Sequence, residues 1–324
     1  MRAPGFWYAP PEAPTLAAQL LAPLGWLTGA LAARRARRPG TCAAVPVICI
    51  GNLTVGGTGK TPAAIALIER LMARGQRVAV LTRGHGGRQK GPVQVDPARH
   101  SAAEVGDEPL LLAVFAPTVV ARDRAAGARL AATLGADVIL MDDGFQNPAL
   151  VKDLSILVVD AETGWGNGRC LPAGPLRERP SDGLRRANHV LLIGPPAARA
   201  AMPALGLPTT AAEIRPLVTG FDWQGARVVA FAGIGRPAKF FATLQELGAN
   251  LVRAEALDDH QPLSEPLLRR LEAEAMQQDA LLVTTEKDAT RLPAAFRPKV
   301  LTLPVRLDLA DWAGIDHALA ELGL

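Results

Sequence analysis

This chain is poor in cysteine, aromatic residues and unbalanced charge, and each scarcity narrows the possibilities. Its 324 residues contain 3 cysteines, Cys42, Cys49 and Cys170, odd in number and far apart. That spacing gives neither a disulfide framework nor a zinc site, and it fits a reducing cytosol. Aromatic residues make up 4% of the chain while alanine and leucine abound, a balance that favours helices laid over a sheet. The net charge of +4 is a mild excess. It suits an anionic ligand or a membrane surface and is far from the charge of a nucleic-acid-binding protein. There are no internal repeats. The apolar content of 49% is enough to bury one large or two medium cores.

What is present is concentrated first at residues 45–62. The apolar run Val45-Pro-Val-Ile-Cys-Ile50 reads as a buried strand, and Gly51-Asn-Leu-Thr-Val-Gly-Gly-Thr-Gly-Lys-Thr-Pro62 follows it. Small residues let backbone N–H groups converge on an anion, and the helix that starts at Lys60 adds partial positive charge. This is the phosphate-binding loop of a nucleotide site. Thr54, Val55, Gly56, Gly57, Thr58 and Gly59 form the cradle, Lys60 reaches the terminal phosphates, and the Thr61 hydroxyl is placed to ligate Mg²⁺. The strict pattern has glycine at position 54, where this chain has Thr54. Gly56 and Gly57 keep the loop bendable.

From residue 45 onward, strands and helices alternate as in a parallel sheet with crossover helices. Strands are expected at 45–50, 77–82, 118–121, 138–141, 155–159 and 190–193, and helices at 60–74, 107–115 and 122–134. Residues 161–183 read as a long functional loop, and 195–225, richer in proline, as a linker. A shorter set follows, with strands at 228–232, 251–255, 280–284 and 299–303 and helices at 237–247 and 265–278. The expected fold is a P-loop-containing α/β/α sandwich with a mostly parallel sheet, plus a second, smaller α/β domain. The division is 1–40 for an N-terminal segment, 41–218 for the nucleotide-binding domain and 219–324 for the smaller one.

Several segments carry candidate chemistry. Val138-Ile-Leu-Met-Asp-Asp-Gly-Phe-Gln146 delivers Asp142 to the carboxyl end of a strand, where open α/β sheets bind ligands and a carboxylate can hold Mg²⁺. Asp143 is either a second ligand or points away. Asp107, in Val105-Gly-Asp-Glu-Pro109, is either a helix cap or a general base. His260 stands in a polar loop, where a solvated role is the plain reading. Thr284-Thr-Glu-Lys-Asp-Ala289 reads as a capping segment with paired charges. Arg177 or Arg179, beside Glu178, could sit over phosphate. Arg83, in a glycine-rich turn, and Arg124 are open to either a substrate-facing or a solvated role.

Residues 15–33 carry no charge and are followed by Arg34, Arg35, Arg37 and Arg38. The stretch approaches the length of a membrane span, yet Pro23, Gly25 and Gly29 interrupt it, and the charges follow it instead of leading it as in a signal peptide. The favoured reading is an interfacial helix with Trp7, Tyr8 and Trp26 as anchors and arginines on lipid phosphates. A helix packed on the core is the alternative.

Taken together, the segments resemble the tetraacyldisaccharide 4'-kinase (lipid A 4'-kinase) family. The resemblance rests on Phe6-Trp-Tyr8, Gly51–Pro62, Arg83-Gly, Val105–Pro109, Met141–Gln146, Leu171-Pro-Ala-Gly-Pro-Leu-Arg-Glu178 and Thr285-Glu-Lys-Asp288, nearly the whole chain in order. It implies transfer of the ATP γ-phosphate to the 4'-hydroxyl of an acylated glucosamine disaccharide, on the cytoplasmic face of the bacterial inner membrane. It also implies two α/β/α domains joined by a short β-linker. Asp107 is then the catalytic base with His260 as its partner, while Asp142, Asp143, Arg177 and Glu178 lie near the nucleotide. The family commonly has a histidine where this chain has Gln261 and an aromatic residue upstream, where this chain has Leu257. The rival readings are a kinase of a soluble small molecule and a membrane-associated NTPase switch.

Overall fold

The computed structural model describes residues 3–324. After a short 3-10 turn at Gly5–Tyr8, helix α1 spans Leu16–Ala36, and the chain then enters the sheet with β1, Val47–Gly51. The order continues with α2 (Lys60–Ala73), β2 (Val78–Thr82), β3 (Val93–Gln94), α3 (Ala102–Val105), α4 (Asp107–Leu112), β4 (Thr118–Val120), α5 (Arg124–Thr133) and β5 (Val138–Asp142). Next come β6 (Leu154–Asp160), α6 (Pro180–Leu184), β7 (His189–Ile193), α7 (Pro196–Ala201) and β8 (Thr209–Pro216). The smaller unit holds β9 (Arg227–Ala232), α8 (Pro237–Glu246), β10 (Asn250–Ala256), α9 (Glu265–Gln277), β11 (Leu281–Thr285), α10 (Glu286–Ala289) and β12 (Leu301–Leu303). The chain closes with β13 (Val305–Leu309) and α11 (Ala313–Glu321).

Two sheets result. The larger has nine strands in the order β13-β8-β7-β6-β1-β5-β2-β4-β3, the smaller four in the order β10-β9-β11-β12. Seven adjacent strands of the large sheet, β8 to β4, run parallel, and antiparallel β13 and β3 close its edges. The smaller sheet is all parallel. Strand β1 sits centrally, between β5 and β6, where successive connections diverge to opposite sides, the place such sheets bind ligands.

Burial on both faces explains why β1 reads as an unbroken apolar run. Ile48 and Ile50 join α2 and α11 in one core through Ile65, Ile68, Leu71, Ile315 and Leu319. Val47 and Cys49 point the other way, into a core with Ala128 and Ala131 of α5 and Leu176 of the long loop. In the smaller unit, Leu268, Leu271 and Ala275 recur at helical spacing on α9 and pack on Val229 and Phe231.

Two expectations need correction. Residues 195–225 are not a plain linker, because β8 within them pairs with β7 and β13. Nor does 219–324 hold together as one unit. Strand β13 pairs antiparallel with β8, and α11 packs in the same core as α2. The chain crosses to the smaller sheet after β8 and returns at β13, so the two crossings lie side by side.

Helix α1 rides on the long loop through its smallest residues. A Cβ on Gly25 would fall 2.6 Å from the Cys170 carbonyl oxygen, and one on Gly29 2.9 Å from Cys170 Sγ. Leu16, Leu20, Leu24, Leu27 and Leu31 line the exposed side, with Trp26 beside them. By length and composition this helix could cross a membrane, with mean hydropathy 1.4 over a window of which 17% is buried.

Candidate active site

The site forms where the carboxyl ends of the central parallel strands meet loops of the smaller unit. The phosphate loop leaves β1 and is braced along its first half by the long loop. Val55 donates its N–H to the Pro175 carbonyl at 2.9 Å, and Arg177 donates to the Leu53 carbonyl at 2.7 Å. Thr54 lies in an antiparallel bridge with Leu176. An extended, paired residue has no need of glycine there, which accounts for the departure from the strict pattern. The second half turns sharply. Gly59 adopts φ +89° at the N-cap of α2, and a Cβ on it would meet Ile193 Cδ1 at 2.8 Å. Asn52 Nδ2 donates to Thr58 Oγ1 at 3.0 Å, tying the ends of the loop together.

Lys60 and the paired aspartates meet at the loop's mouth. Asp143, at φ +49°, takes Arg177 Nη1 at 2.7 Å and lies 3.6 Å from Lys60 Nζ. Burial alone would raise its carboxyl, but Lys60 and then Arg177 outweigh it and hold the group down at about 2. Asp142 differs. It is buried, and its Oδ1 meets no hydrogen-bond partner among the described residues. Burial, then the charges of Glu108 and Asp143, push it up to about 7. An orphaned buried carboxylate oxygen beside a phosphate loop is what a cation would satisfy. Among the described residues no three metal-ligating side chains of the acidic, His or Cys type cluster, so water and phosphate oxygens would complete any shell.

Asp107 comes from the start of α4. It is not the N-cap, a position Gly106 occupies, although its own Oδ1 accepts the Glu108 N–H at 2.9 Å. Across the cleft His260 reaches in, with Nδ1 at 2.8 Å from Asp107 Oδ2 and 3.0 Å from Oδ1. The side chain is therefore not simply solvated. Its loop is held in place: His260 sits at φ +58° and donates its N–H to the Gly233 carbonyl at 3.1 Å. Gln261 Oε1 accepts the Asp258 N–H at 3.0 Å, so the glutamine braces the loop. Leu257 is buried in the core of the smaller unit. Burial works to raise Asp107, but the His260 hydrogen bond and the charges of Lys287 and Arg291 win, leaving the carboxyl below its ordinary value. His260 is raised by its bond to Asp107, against burial and Lys287.

The remaining expected residues divide. Arg124 is buried at the start of α5, bonded to the Ala121 carbonyl, with Nε unpartnered. Burial lowers it to about 10, against the pull of Asp142. Arg83 is exposed. Glu178 is fully buried, paired with Arg186 and accepting Gln146 Nε2 at 2.9 Å. It braces Gln146, which in turn holds the Asn52 carbonyl.

Several residues at the site were not foreseen as part of it. Lys287 lies 3.0 Å from Glu108 Oε1 and 3.4 Å from His260 Nε2. Asp288 is fully buried, accepts the Gly233 N–H at 3.1 Å and pairs with Arg291, whose Nε is 3.7 Å from Asp107 Oδ2. Their signal was the run Thr284–Ala289, read as a capping segment. That reading holds locally, since Thr285 Oγ1 accepts the Asp288 N–H at 3.1 Å. A second crossing joins Arg236 to Asp160 and to the Gly57 carbonyl.

Known proteins resemble this chain along almost its full length. The family described as Tetraacyldisaccharide-1-P 4'-kinase matches residues 17–323. A tetraacyldisaccharide 4'-kinase of Dinoroseobacter shibae is 59% identical, covering 99% of this chain and 98% of its own. One from a Jannaschia species is 53% identical over 99% of each chain. Among solved structures, LpxK of Aquifex aeolicus in complex with ATP superposes with TM-score 0.77 at 26% identity, covering 94% of this chain and 99% of that one. A phosphate loop, strand-end carboxylates and an aspartate–histidine pair across the cleft, on a chain matched along almost its full length, place this protein in the tetraacyldisaccharide-1-phosphate 4'-kinase family.

Proposed function

We propose that this chain transfers the γ-phosphoryl group of ATP to the 4'-hydroxyl of the tetraacyl glucosamine disaccharide 1-phosphate precursor of lipid A. The observation that carries the reading is the 2.8 Å contact of His260 with Asp107 beside a phosphate loop. It supports a base for an alcohol beside a socket for a triphosphate.

Phosphoryl transfer needs positioning and charge neutralisation more than covalent help from the protein. The amides of residues 54–59 cradle the β- and γ-phosphates, and Lys60 leaves Asp143 to neutralise the terminal group. Arg177, steered by Asp143, would steady the moving phosphoryl, and Arg83 and Arg124 would add positive charge for substrate or phosphate. Asp107, ionised at neutral pH, accepts the sugar hydroxyl proton as the new P–O bond forms, and His260 orients its carboxylate. Thr61 and Asp142, with Asp143 nearby, are the residues that would hold Mg²⁺, which when bound spreads the phosphate charge. The smaller unit covers the loop at Gly235 and Arg236 and excludes water from the transfer.

The acceptor's acyl chains call for an apolar surface. The leucine stripe of α1, with Trp26 and Tyr8 exposed and Arg34, Arg35, Arg37 and Arg38 at its end, supports peripheral attachment to the cytoplasmic face of the inner membrane. Trp7 is less free, since its Nε1 donates to the Pro172 carbonyl at 3.1 Å. The direct test incubates purified protein with Mg-ATP and the disaccharide lipid and weighs the product. A gain of one phosphate on the lipid is expected. Release of inorganic phosphate with unchanged lipid would contradict the reading.

A further inference from the structure

We propose that Arg236, reaching from the smaller unit onto the phosphate loop, is a positioning residue for the nucleotide: it holds the Gly57 carbonyl outward and so aims the Thr58 N–H at the phosphates. The proposal deepens the phosphoryl-transfer reading and rests on its nucleotide socket. Arg236 is the N-cap of α8, and its Nη2 donates to the Gly57 carbonyl oxygen at 3.4 Å. The carbonyl of Gly57 and the N–H of Thr58 belong to one planar trans peptide and point in opposite directions. A carbonyl drawn toward the smaller unit therefore turns the Thr58 N–H inward, where the loop receives its anion. Among the described residues no backbone acceptor takes that N–H.

The loop has little of its own to hold this peptide. Gly56, at φ +109°, and Gly59, at φ +89°, lie on either side of it, and Gly57 itself has no side chain to restrict rotation. The first half of the loop is tied to Pro175 through Val55, whereas Gly57 is met from the smaller unit. The approach is close. A Cβ on Gly235 would fall 2.8 Å from the Gly57 nitrogen.

Arg236 is itself firmly seated. Its Nη2 pairs with Asp160, and its Nη1 lies 3.5 Å from Glu162 Oε2. Asp160 ends β6 and is buried, with Oδ1 accepting the Glu162 N–H at 2.9 Å, so Oδ2 is the oxygen that fixes the guanidinium. Lys239, one turn along α8, pairs with Glu162 and lies 3.5 Å from Asp160 Oδ2. Two cations thus face two carboxylates, and Arg236 is the one that also bonds the loop. A guanidinium engaged by Asp160 and Gly57 acts on ground state and transition state alike. Its influence belongs to nucleotide binding and not to turnover.

The test compares wild type with Arg236→Ala, Arg236→Lys and Lys239→Ala. The readouts are Mg-ADP binding by calorimetry, kcat and KM for ATP, urea denaturation and the Thr58 amide proton shift. Arg236→Ala and Lys239→Ala remove the same charge from the same cluster. Arg236→Ala should weaken Mg-ADP about tenfold and raise the KM for ATP by a similar factor, with kcat lowered less than about threefold. Lys239→Ala should leave affinity within about twofold of wild type. Arg236→Lys should recover most of the stability lost in Arg236→Ala, because a cation still faces Asp160. It should not recover the affinity, because a single ammonium lacks the planar fork that spans Asp160 and Gly57. The Thr58 amide proton should move strongly downfield with Mg-ADP in wild type and much less in Arg236→Lys. Wild-type affinity in a folded Arg236→Ala, equal losses in Arg236→Ala and Lys239→Ala, affinity that returns with stability in Arg236→Lys, or a fall in kcat at unchanged KM overturns the proposal. Binding of Mg-ADP needs no acceptor, so it decides the matter even if the wild type passes no phosphate to the lipid, a result that would sink the functional reading alone.

Discussion

The two sides of the cleft are built in opposite ways. On the large unit the phosphate-binding parts are local: a strand, a loop and a helix start within residues 47–61, and Asp142 ends the adjacent strand. On the smaller unit nothing is local. His260 meets Asp107 across 153 residues of sequence, and Lys287 meets Glu108 across 179. The local half is a rigid socket specified by glycines and backbone amides. The remote half is a set of charged side chains that becomes chemistry only by contact. On the proposed reading, binding of the triphosphate rests on one continuous segment and activation of the alcohol on residues joined only by contact, so the two should be separable by mutation.

The largest effect should come from the socket. Lys60→Ala should cut turnover by on the order of 10³-fold, since the developing phosphate charge loses its nearest fixed cation. Asp107→Ala should follow, at about 10²-fold or more in kcat, with nucleotide affinity retained in an equilibrium binding assay. Parallel loss of nucleotide affinity would erase the distinction between the two sides. Replacing Leu20, Leu24 and Leu27 with serine should release the protein from anionic vesicles while activity on detergent-dispersed lipid stays within a few-fold, because each leucine gives up about 1.5–3 kcal/mol of burial in lipid. The smallest effect belongs to the second crossing. Arg236→Ala leaves the buried Asp160 with Lys239, at 3.5 Å, beside the backbone N–H of Glu162 at 2.9 Å, and should cost about 1–3 kcal/mol in chemical denaturation.

Legibility in the sequence followed the same division. Gly51–Pro62 and Asp142 could be read directly, because strand, loop and helix start are consecutive and each residue type has a physical task. The continuous apolar strands 138–142 and 154–160 were equally plain, buried on both faces. Strand β8 was hidden, since Thr209–Pro216 offers threonine and alanine where a core strand would show large apolar residues. Strand β13 carried a signal: Leu307 and Leu309 are buried and alternate with Arg306 and Asp308, yet nothing local says which sheet they join. The family resemblance supplied the pairing of His260 with Asp107, which spacing alone could not. Lys287 and Glu108 stood in quoted motifs, but the distance between them in sequence concealed their contact.

The account's central claim is that the base is assembled across the cleft, and a double-mutant cycle on it is the most direct measurement. Single-turnover rates of lipid phosphorylation would be taken for wild type, Asp107→Asn, His260→Gln and the double variant. If His260 acts through Asp107, its replacement should slow the wild type by about tenfold or more and leave Asp107→Asn almost unchanged, a strongly non-additive cycle. Rate losses that simply multiply would contradict the account.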